Sequence, residues 1–322
     1  MIYLKNIIID SHCDTALKLL TGSDINNTDN QFTLNNALVY DKYLQFFAMY
    51  IEPEYVENGE YDLCNRLINS VKKEVKENSR YMKIITTKNQ LERYFNEENR
   101  SLGILLAVED ASCLEGNIEN VQNFFDNGIS VMGLTWNGKN QVAGGVDCSN
   151  TDDDGLSKFG EEVVNKMNEL GIIIDVSHLS EKSFYDVMKI TNKPVIASHS
   201  CCKSICNHRR NLSDDQIKLI SSNKGMIAVN LYKEFLNQDI NKANIECLVK
   251  HIRHIYNIGG KECIGIGSDY DGMGKNKTVI GLEDNSKLVK LIDYLKKDNF
   301  TDSEIDGIMW RNQFEFLKRE LK

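Results

Sequence analysis

Ile7-Ile8-Ile9-Asp10-Ser11-His12-Cys13-Asp14 is an apolar run that breaks into His-x-Asp close to the start of the chain. Alternate residues of a strand share a face, so His12 and Asp14 are expected to project together from the end of a buried β-strand. An imidazole and a carboxylate on one face make half a site for a divalent metal. The same triplet also reads as a strand followed by a polar turn, and the rest of the chain has to decide. Together with this run, short apolar stretches at 44–51, 102–108, 129–134, 172–176, 194–197, 226–230 and 263–267 give eight strand candidates. Between them lie amphipathic segments at 64–76, 118–127, 160–170, 182–190, 214–221 and 245–258 with helical periodicity. Ser213 with Gln216 fits a capping box at the start of one, and Gly171 stands where a glycine would end another. Strands alternating with helices imply a parallel sheet, and their near-continuous apolar character implies that both faces are covered. Eight such units point to a closed (β/α)8 TIM-type barrel, with a doubly wound open sheet as the competitor.

The chain has 322 residues, 41% of them hydrophobic and 26% charged, which is the balance of a globular protein. Two prolines and no Pro/Gly/Ser linker leave no domain boundary, so residues 1–322 are read as a single barrel domain. Segments 15–43 and 137–157 read as loop insertions after strands. Segment 302–321, with Ile305, Ile308, Met309, Phe316 and Leu317 at helical spacing, reads as a C-terminal helix on the outside of the barrel. A net charge of -9 argues against nonspecific nucleic-acid or anionic-membrane binding, which need a basic face. No stretch approaches the ~18 apolar residues of a membrane span, and the first strand leaves no room for a signal peptide. A cytoplasmic protein is therefore expected. Nine scattered cysteines fit reduced thiols in a reducing compartment. Cys201, Cys202, Cys206 and His208 could form a small zinc knot, but without a CxxC pair or a second pair at finger spacing they read as ordinary buried or loop thiols.

In such a barrel the active site forms at the C-terminal ends of the strands. The first run ends in His12 and Asp14, the run at 102–108 in Glu109 and Asp110, that at 172–176 in His178, that at 194–197 in His199, and that at 263–267 in Asp269 and Asp271. A single strand-end histidine is commonly a hydrogen-bonded structural residue. Here three of the six histidines of the chain share strand ends with carboxylates. That exceeds the needs of one four-coordinate ion and suits two divalent ions sharing a carboxylate, with Glu109 the natural bridge.

The motifs Ile9-Asp10-Ser11-His12-Cys13-Asp14, Ala107-Val108-Glu109, Leu134-Thr135-Trp136-Asn137, Asp175-Val176-Ser177-His178, Ser198-His199-Ser200, Arg209-Arg210-Asn211 and Gly267-Ser268-Asp269-Tyr270-Asp271-Gly272 together resemble the membrane (renal) dipeptidases. These are binuclear zinc dipeptidases of the amidohydrolase-like barrels, and the resemblance runs over essentially the whole chain. It implies a metalloprotease with two Zn2+ per chain, one held by His12, Asp14 and Glu109 and the other by Glu109, His178 and His199. It also implies hydrolysis of dipeptides with a free C-terminal carboxylate, tolerating a D-residue at that end, by a hydroxide bridging the metals. Asp269 is chosen to carry the proton from nucleophile to leaving amine; a further metal ligand or a strand-end cap is the alternative. Asp271 is expected to order the loop around Gly272.

A guanidinium suits two-pronged recognition of a carboxylate. Spacing does not distinguish Arg209 from Arg210, and the resemblance assigns the role to Arg210. In the mammalian enzymes a histidine follows the Leu-Thr pair and contacts the substrate carbonyl, whereas this chain has Trp136 there. Trp136 and the adjacent Asn137, both able to donate a hydrogen bond, are taken as substrate contacts. The resemblance further suggests a homodimer, while the mammalian anchor and disulfides have no evident counterpart. Two alternatives stay open: a binuclear amidohydrolase acting on another small amide, an N-acyl amino acid or a lactone, and a non-catalytic metal-binding protein with a decayed site.

Overall fold

Among the described residues nine parallel strands form one sheet, and eight of them close on themselves. The computed structural model describes residues 6–148 and 155–322; residues 149–154 of the insertion expected over 137–157 lie outside the described residues. The strands are β1 (Ile7–Cys13), β2 (Lys42–Tyr50), β3 (Met82–Ile84), β4 (Leu102–Glu109), β5 (Ile129–Gly133), β6 (Ile173–Asp175), β7 (Ile196–Ala197), β8 (Met226–Val229) and β9 (Ile264–Ile266). β1 pairs with both β2 and β9, and β2 pairs with β4, so the order β1-β2-β4-β5-β6-β7-β8-β9 returns to β1. All eight expected strands are present and the (β/α)8 barrel is the fold. The ninth, β3, was not anticipated, because Met82-Lys83-Ile84 is too short to register as an apolar run. It pairs with Leu102, Gly103 and Ile104 of β4, and β5 takes over that edge from Leu106 onward.

Alternation along the strands separates two apolar layers. Ile8, Tyr43, Phe47, Leu106 and Ile227 pack with helix residues such as Leu63, Leu67 and Phe124 in the outer layer. Ile9, Leu44, Phe46, Leu105, Val131, Ile173, Ile196 and Met226 form the inner cluster that fills the barrel. The helices follow the expected periodicity, and the Ser213/Gln216 capping box and the left-handed Gly171 at its helix end are both in place.

The C-terminal segment differs from expectation. It is helical over Asp302–Asp306 and Asn312–Glu320, with a π-turn at Gly307–Arg311 between them. Only its first half lies on the outside as expected, where Ile305, Ile308 and Met309 pack in the outer layer; Phe316, Leu317 and Leu321 join the inner cluster and stopper the end opposite the strand C-termini. Gln313 fills the space at Gly265 of β9, where a Cβ would stand 2.5 Å from its Cδ, and its amide bonds the backbone N–H and C=O of Ile266 at 3.3 and 3.2 Å. The apolar stripe was legible, but the surface it seeks is set by inward residues at the strand N-termini, which need a cover. Phe316→Ala should therefore lower the unfolding free energy by about 3–5 kcal/mol, measured by urea denaturation, and a loss below ~1 kcal/mol would mean the helix does not seal the barrel.

Candidate active site

The C-terminal ends of β1, β4, β6, β7 and β9 bring the candidate residues to one rim. β1 reaches it through a β-bulge: Asp10 pairs with Gln45 and Cys13 with Phe47, so three residue steps oppose two. The extra residue resets the alternation, sending Cys13 into the outer core while His12 and Asp14 turn towards Glu109. Asp10 pins the bulge. Its buried carboxylate accepts from the backbone N–H of His12 (3.3 Å) and Ser268 (2.8 Å), from Ser268 Oγ (2.6 Å) and from the Tyr43 hydroxyl (3.3 Å), tying β1 to β2 and to the loop after β9.

Glu109, the last residue of β4, stands between two groups of side chains. Its Oε2 lies 3.3 Å from His12 Nε2, which is also 3.6 Å from Asp14 Oδ2 and 3.9 Å from Asp269 Oδ1. Its Oε1 lies 3.0 Å from His178 Nε2 and 3.9 Å from His199 Nε2. The two imidazole nitrogens are 2.9 Å apart. All five expected ligands are buried, and among the described residues His12 Nε2 and Asp14 Oδ1 have no hydrogen-bond partner. A buried orphan atom is costly unless something occupies the space between such groups, and an imidazole and carboxylate set suits a zinc-type cation. Among the described residues two sets have ligand atoms close enough to hold a metal ion: His12, Glu109 and His199, and His12, Asp14 and Asp269. The second places Asp269 with the ligands, the alternative already stated for it.

Neighbouring groups fix the imidazole tautomers. His178 Nδ1 faces Asn137 Oδ1 at 2.8 Å, and His199 Nδ1 faces Ser198 Oγ at 2.7 Å. Ser198 Oγ in turn donates to Asp175, whose other oxygen accepts the backbone N–H of Ser177 and Ser198 at 2.9 and 3.0 Å. With each Nδ1–H occupied, both Nε2 lone pairs point at the centre, the orientation a metal-ligating histidine requires. Burial, then the charge of Arg210, bring the His178 pKa down to about 3 and keep the ring neutral. For His12 burial is the largest influence and disfavours the charge, yet Glu109 and Asp14 together raise its pKa well above the usual value. Positive charge is favoured between those carboxylates. His178 and Asp269 hold positive φ of 70° and 65°, backbone strain of the kind concentrated at functional sites.

Arg209 and Arg210 diverge. Arg209 turns outward to Asp147, whereas Arg210 is buried with its Nη2 2.8 Å from His199 Nε2. Burial lowers the Arg210 pKa to about 10, which leaves it charged at neutral pH. Asp269 Oδ2 accepts from Asn230 Nδ2 at 2.9 Å. Gly272 lets the loop pass close: a Cβ there would stand 2.1 Å from Asp14 Oδ2 and 2.6 Å from Asp269 Oδ1. Asp271 orders more than its own loop, since it takes the backbone N–H of Gln31 (2.6 Å) and the hydroxyl of Thr15 (2.7 Å), holding the 15–43 insertion beside the rim. Asp14, Glu109, Trp136, Asn137, His178, His199, Arg210 and Asp269 line one cavity of about 680 Å³, within the usual range for a small-molecule site.

The cysteine cluster does not converge. Cys201, Cys202 and Cys206 direct their thiols to the carbonyls of Asn230, His251 and Glu234, at 3.4, 3.5 and 3.4 Å. All nine cysteines are free. Roles for Asp10, Asp175, Ser198 and Asn230 were missed. Asp175 and Ser198 stood inside the quoted motifs, but only the pairing of β6 with β7 brings them together.

A family model described as membrane dipeptidase (peptidase family M19) matches residues 1–321. An uncharacterized dipeptidase of Schizosaccharomyces pombe is 32% identical over 225 residues, covering 69% of this chain and 54% of that protein. A Klebsiella pneumoniae protein described by its location in the pqqA 5' region is 31% identical over 228 residues, 69% of this chain and 83% of its own. The match thus spans about half the length of the first relative and most of the second. Among solved structures, a metallo peptidase from Rhodobacter sphaeroides liganded with a phosphinate mimic of L-Ala-D-Ala aligns with a TM-score of 0.87 at 20% identity, covering 98% of this chain and 99% of its own. The fold is shared.

If His178 and His199 hold a divalent metal ion, Asp175→Asn is expected to weaken its binding by about 10–100-fold, read by titration against a competing chelator. An unchanged affinity would mean that Ser198 orients His199 unaided.

Proposed function

The chain belongs to the membrane dipeptidase family, and we propose that it is a zinc-dependent dipeptidase acting on dipeptides with a free C-terminal carboxylate. The observation that carries this reading is the buried Arg210 guanidinium set 2.8 Å from His199, at the edge of the cluster around Glu109. A fixed cation beside a hydrolytic centre selects a substrate whose anionic end lies one residue from the scissile bond.

In this reading His12, Asp14 and Glu109 hold one ion and Glu109, His178 and His199 the other. When bound, the pair supplies Lewis acidity at the scissile carbonyl and lowers the pKa of water. The remaining work falls to the chain. Asp269, anchored through Oδ2 by Asn230, keeps Oδ1 towards the cleft to take the proton of the attacking water and deliver it to the leaving amine. Arg210 grips the carboxylate. Trp136 and Asn137 face the substrate, although Asn137 has its side-chain oxygen on His178 and retains only its amide N–H groups for that task. Tolerance of a D-residue at the carboxyl end belongs to the proposal and is prompted by the mimic bound to the Rhodobacter protein. A cytoplasmic setting is likewise proposed from the free thiols; among the described residues no helix is long and apolar enough to cross a membrane. N-acyl amino acids form a second reading, because Arg210 would accept their carboxylate equally.

Asp269→Asn should retain about two zinc ions per chain and lose kcat by about 10²–10⁴-fold, measured by elemental analysis and dipeptide hydrolysis; full activity would remove Asp269 from proton transfer. Arg210→Ala should raise KM for dipeptides by about 10–100-fold, as loss of a charge-assisted bond implies. The assay runs on L,L- and L,D-dipeptides, tripeptides and N-acetyl amino acids, and tripeptides cleaved as readily as dipeptides would sink the assigned role.

A further inference from the structure

Two large aromatic side chains at the cleft remain once the metal ligands, Asp269 and Arg210 have their tasks. Trp136, just past β5, is 39% exposed although it lines the cavity. Its ring packs on Tyr50 with centroids 5.4 Å apart and lies 6.1 Å from the His178 ring. Tyr50 ends β2 and pairs in register with Glu109. The aromatic pair therefore stands beside Glu109 and His178, whereas the contact of Arg210 in this cluster is with His199.

That position specifies which part of a substrate it meets. Arg210 lies 2.8 Å from His199, His199 lies 2.9 Å from His178 and 3.9 Å from Glu109, and His178 lies 3.0 Å from Glu109. Two residues of extended chain reach about 7 Å. A dipeptide with its carboxylate on Arg210 therefore carries its amino-terminal residue past the imidazoles towards Glu109, where Tyr50 stands with Trp136 against it. An indole offers a broad apolar face and one N–H, and it takes up no charge.

We propose that Trp136 and Tyr50 form the binding face for the side chain of the substrate's amino-terminal residue, making the protein selective for dipeptides whose first residue is aromatic or large and aliphatic. This rests on the dipeptidase reading and names its substrate class. The test compares kcat/KM for Phe-Ala, Leu-Ala, Gly-Ala and Asp-Ala on the zinc-loaded protein. Calorimetric affinities of the phosphinate analogues of Phe-Ala and Gly-Ala give a readout independent of turnover. Phe-Ala and Leu-Ala should exceed Gly-Ala by about tenfold or more in both measures, since a single well-packed methylene already discriminates to that extent. Trp136→Ala should bring the Phe-to-Gly ratio to about one, and Trp136→Phe should keep most of it. A ratio near one in the unaltered protein, or one that survives Trp136→Ala, overturns the aromatic face while leaving the dipeptidase reading standing. A protein that cleaves none of the dipeptides and binds neither phosphinate overturns both readings.

Discussion

The buried carboxylate of Glu109 is the constraint around which the rim is built. Its two oxygens point to different imidazole groups, 3.3 Å from His12 on one side and 3.0 Å from His178 on the other. A buried charge is tolerable only if its neighbours neutralise it, and these neighbours come from strands far apart in sequence. Only a closed barrel makes them adjacent. β4 can serve as the hub because β2 pairs along its whole length, from Leu102 to Glu109, while β3 and β5 share its other edge. β4 is thus held from both sides as far as Val108, and Glu109 itself pairs with Tyr50 of β2. The strain at His178 and Asp269 sits at positions where a change of backbone direction aims the side chain back towards Glu109.

The two ends of the barrel carry different loads. At the strand N-termini the inner cluster is sealed by Phe316, Leu317 and Leu321, with Gln313 hydrogen-bonded against the glycine of β9. At the strand C-termini the interior turns polar, and several buried groups there are held by a second one: Asp10 on Ser268, His199 on Ser198 and Asp175, Asp269 on Asn230. Apolar packing at one end supplies the rigidity that lets the other keep polar atoms without partners.

The eight barrel strands were legible because helices cover one face and the packed interior the other, which leaves near-continuous apolar runs. β3 was not, being three residues of which one is lysine. The amphipathic C-terminal helix was legible as a helix, but periodicity names a face and not the surface it meets. His12 and Asp14 were placed correctly on one face through the spacing rule, which holds only after the bulge; the preceding alternation would have turned His12 outward. Arg209 and Arg210 could not be separated by spacing, because one residue of difference in a loop carries no periodic signal. Burial separates them at once. Asn137 was read as a substrate contact from its neighbour, whereas its oxygen serves His178, a pairing between loops that no local pattern encodes.

The loop that carries Trp136 holds its backbone in a way that lets the side chain there change without disturbing the His178 imidazole. Its backbone is held by residues other than Trp136: Asn140 donates to Asp110 Oδ1 at 2.6 Å and to the Leu134 carbonyl at 2.8 Å, and accepts from the N–H groups of Val142 and Ala143 at 2.7 and 3.0 Å. Asp110 follows Glu109 directly and adopts a φ of 78°, so the same turn that ends β4 also anchors the loop after β5. Asn137, one residue on, reaches the His178 imidazole from this pinned backbone. The side chain at position 136 then projects from a frame already fixed on both sides. Exchanging an imidazole for an indole there alters what the cleft presents to a substrate and leaves the orientation of His178 to Asn137. In the proposed reading, selectivity and the orientation of His178 fall to adjacent residues that share a backbone but not a task.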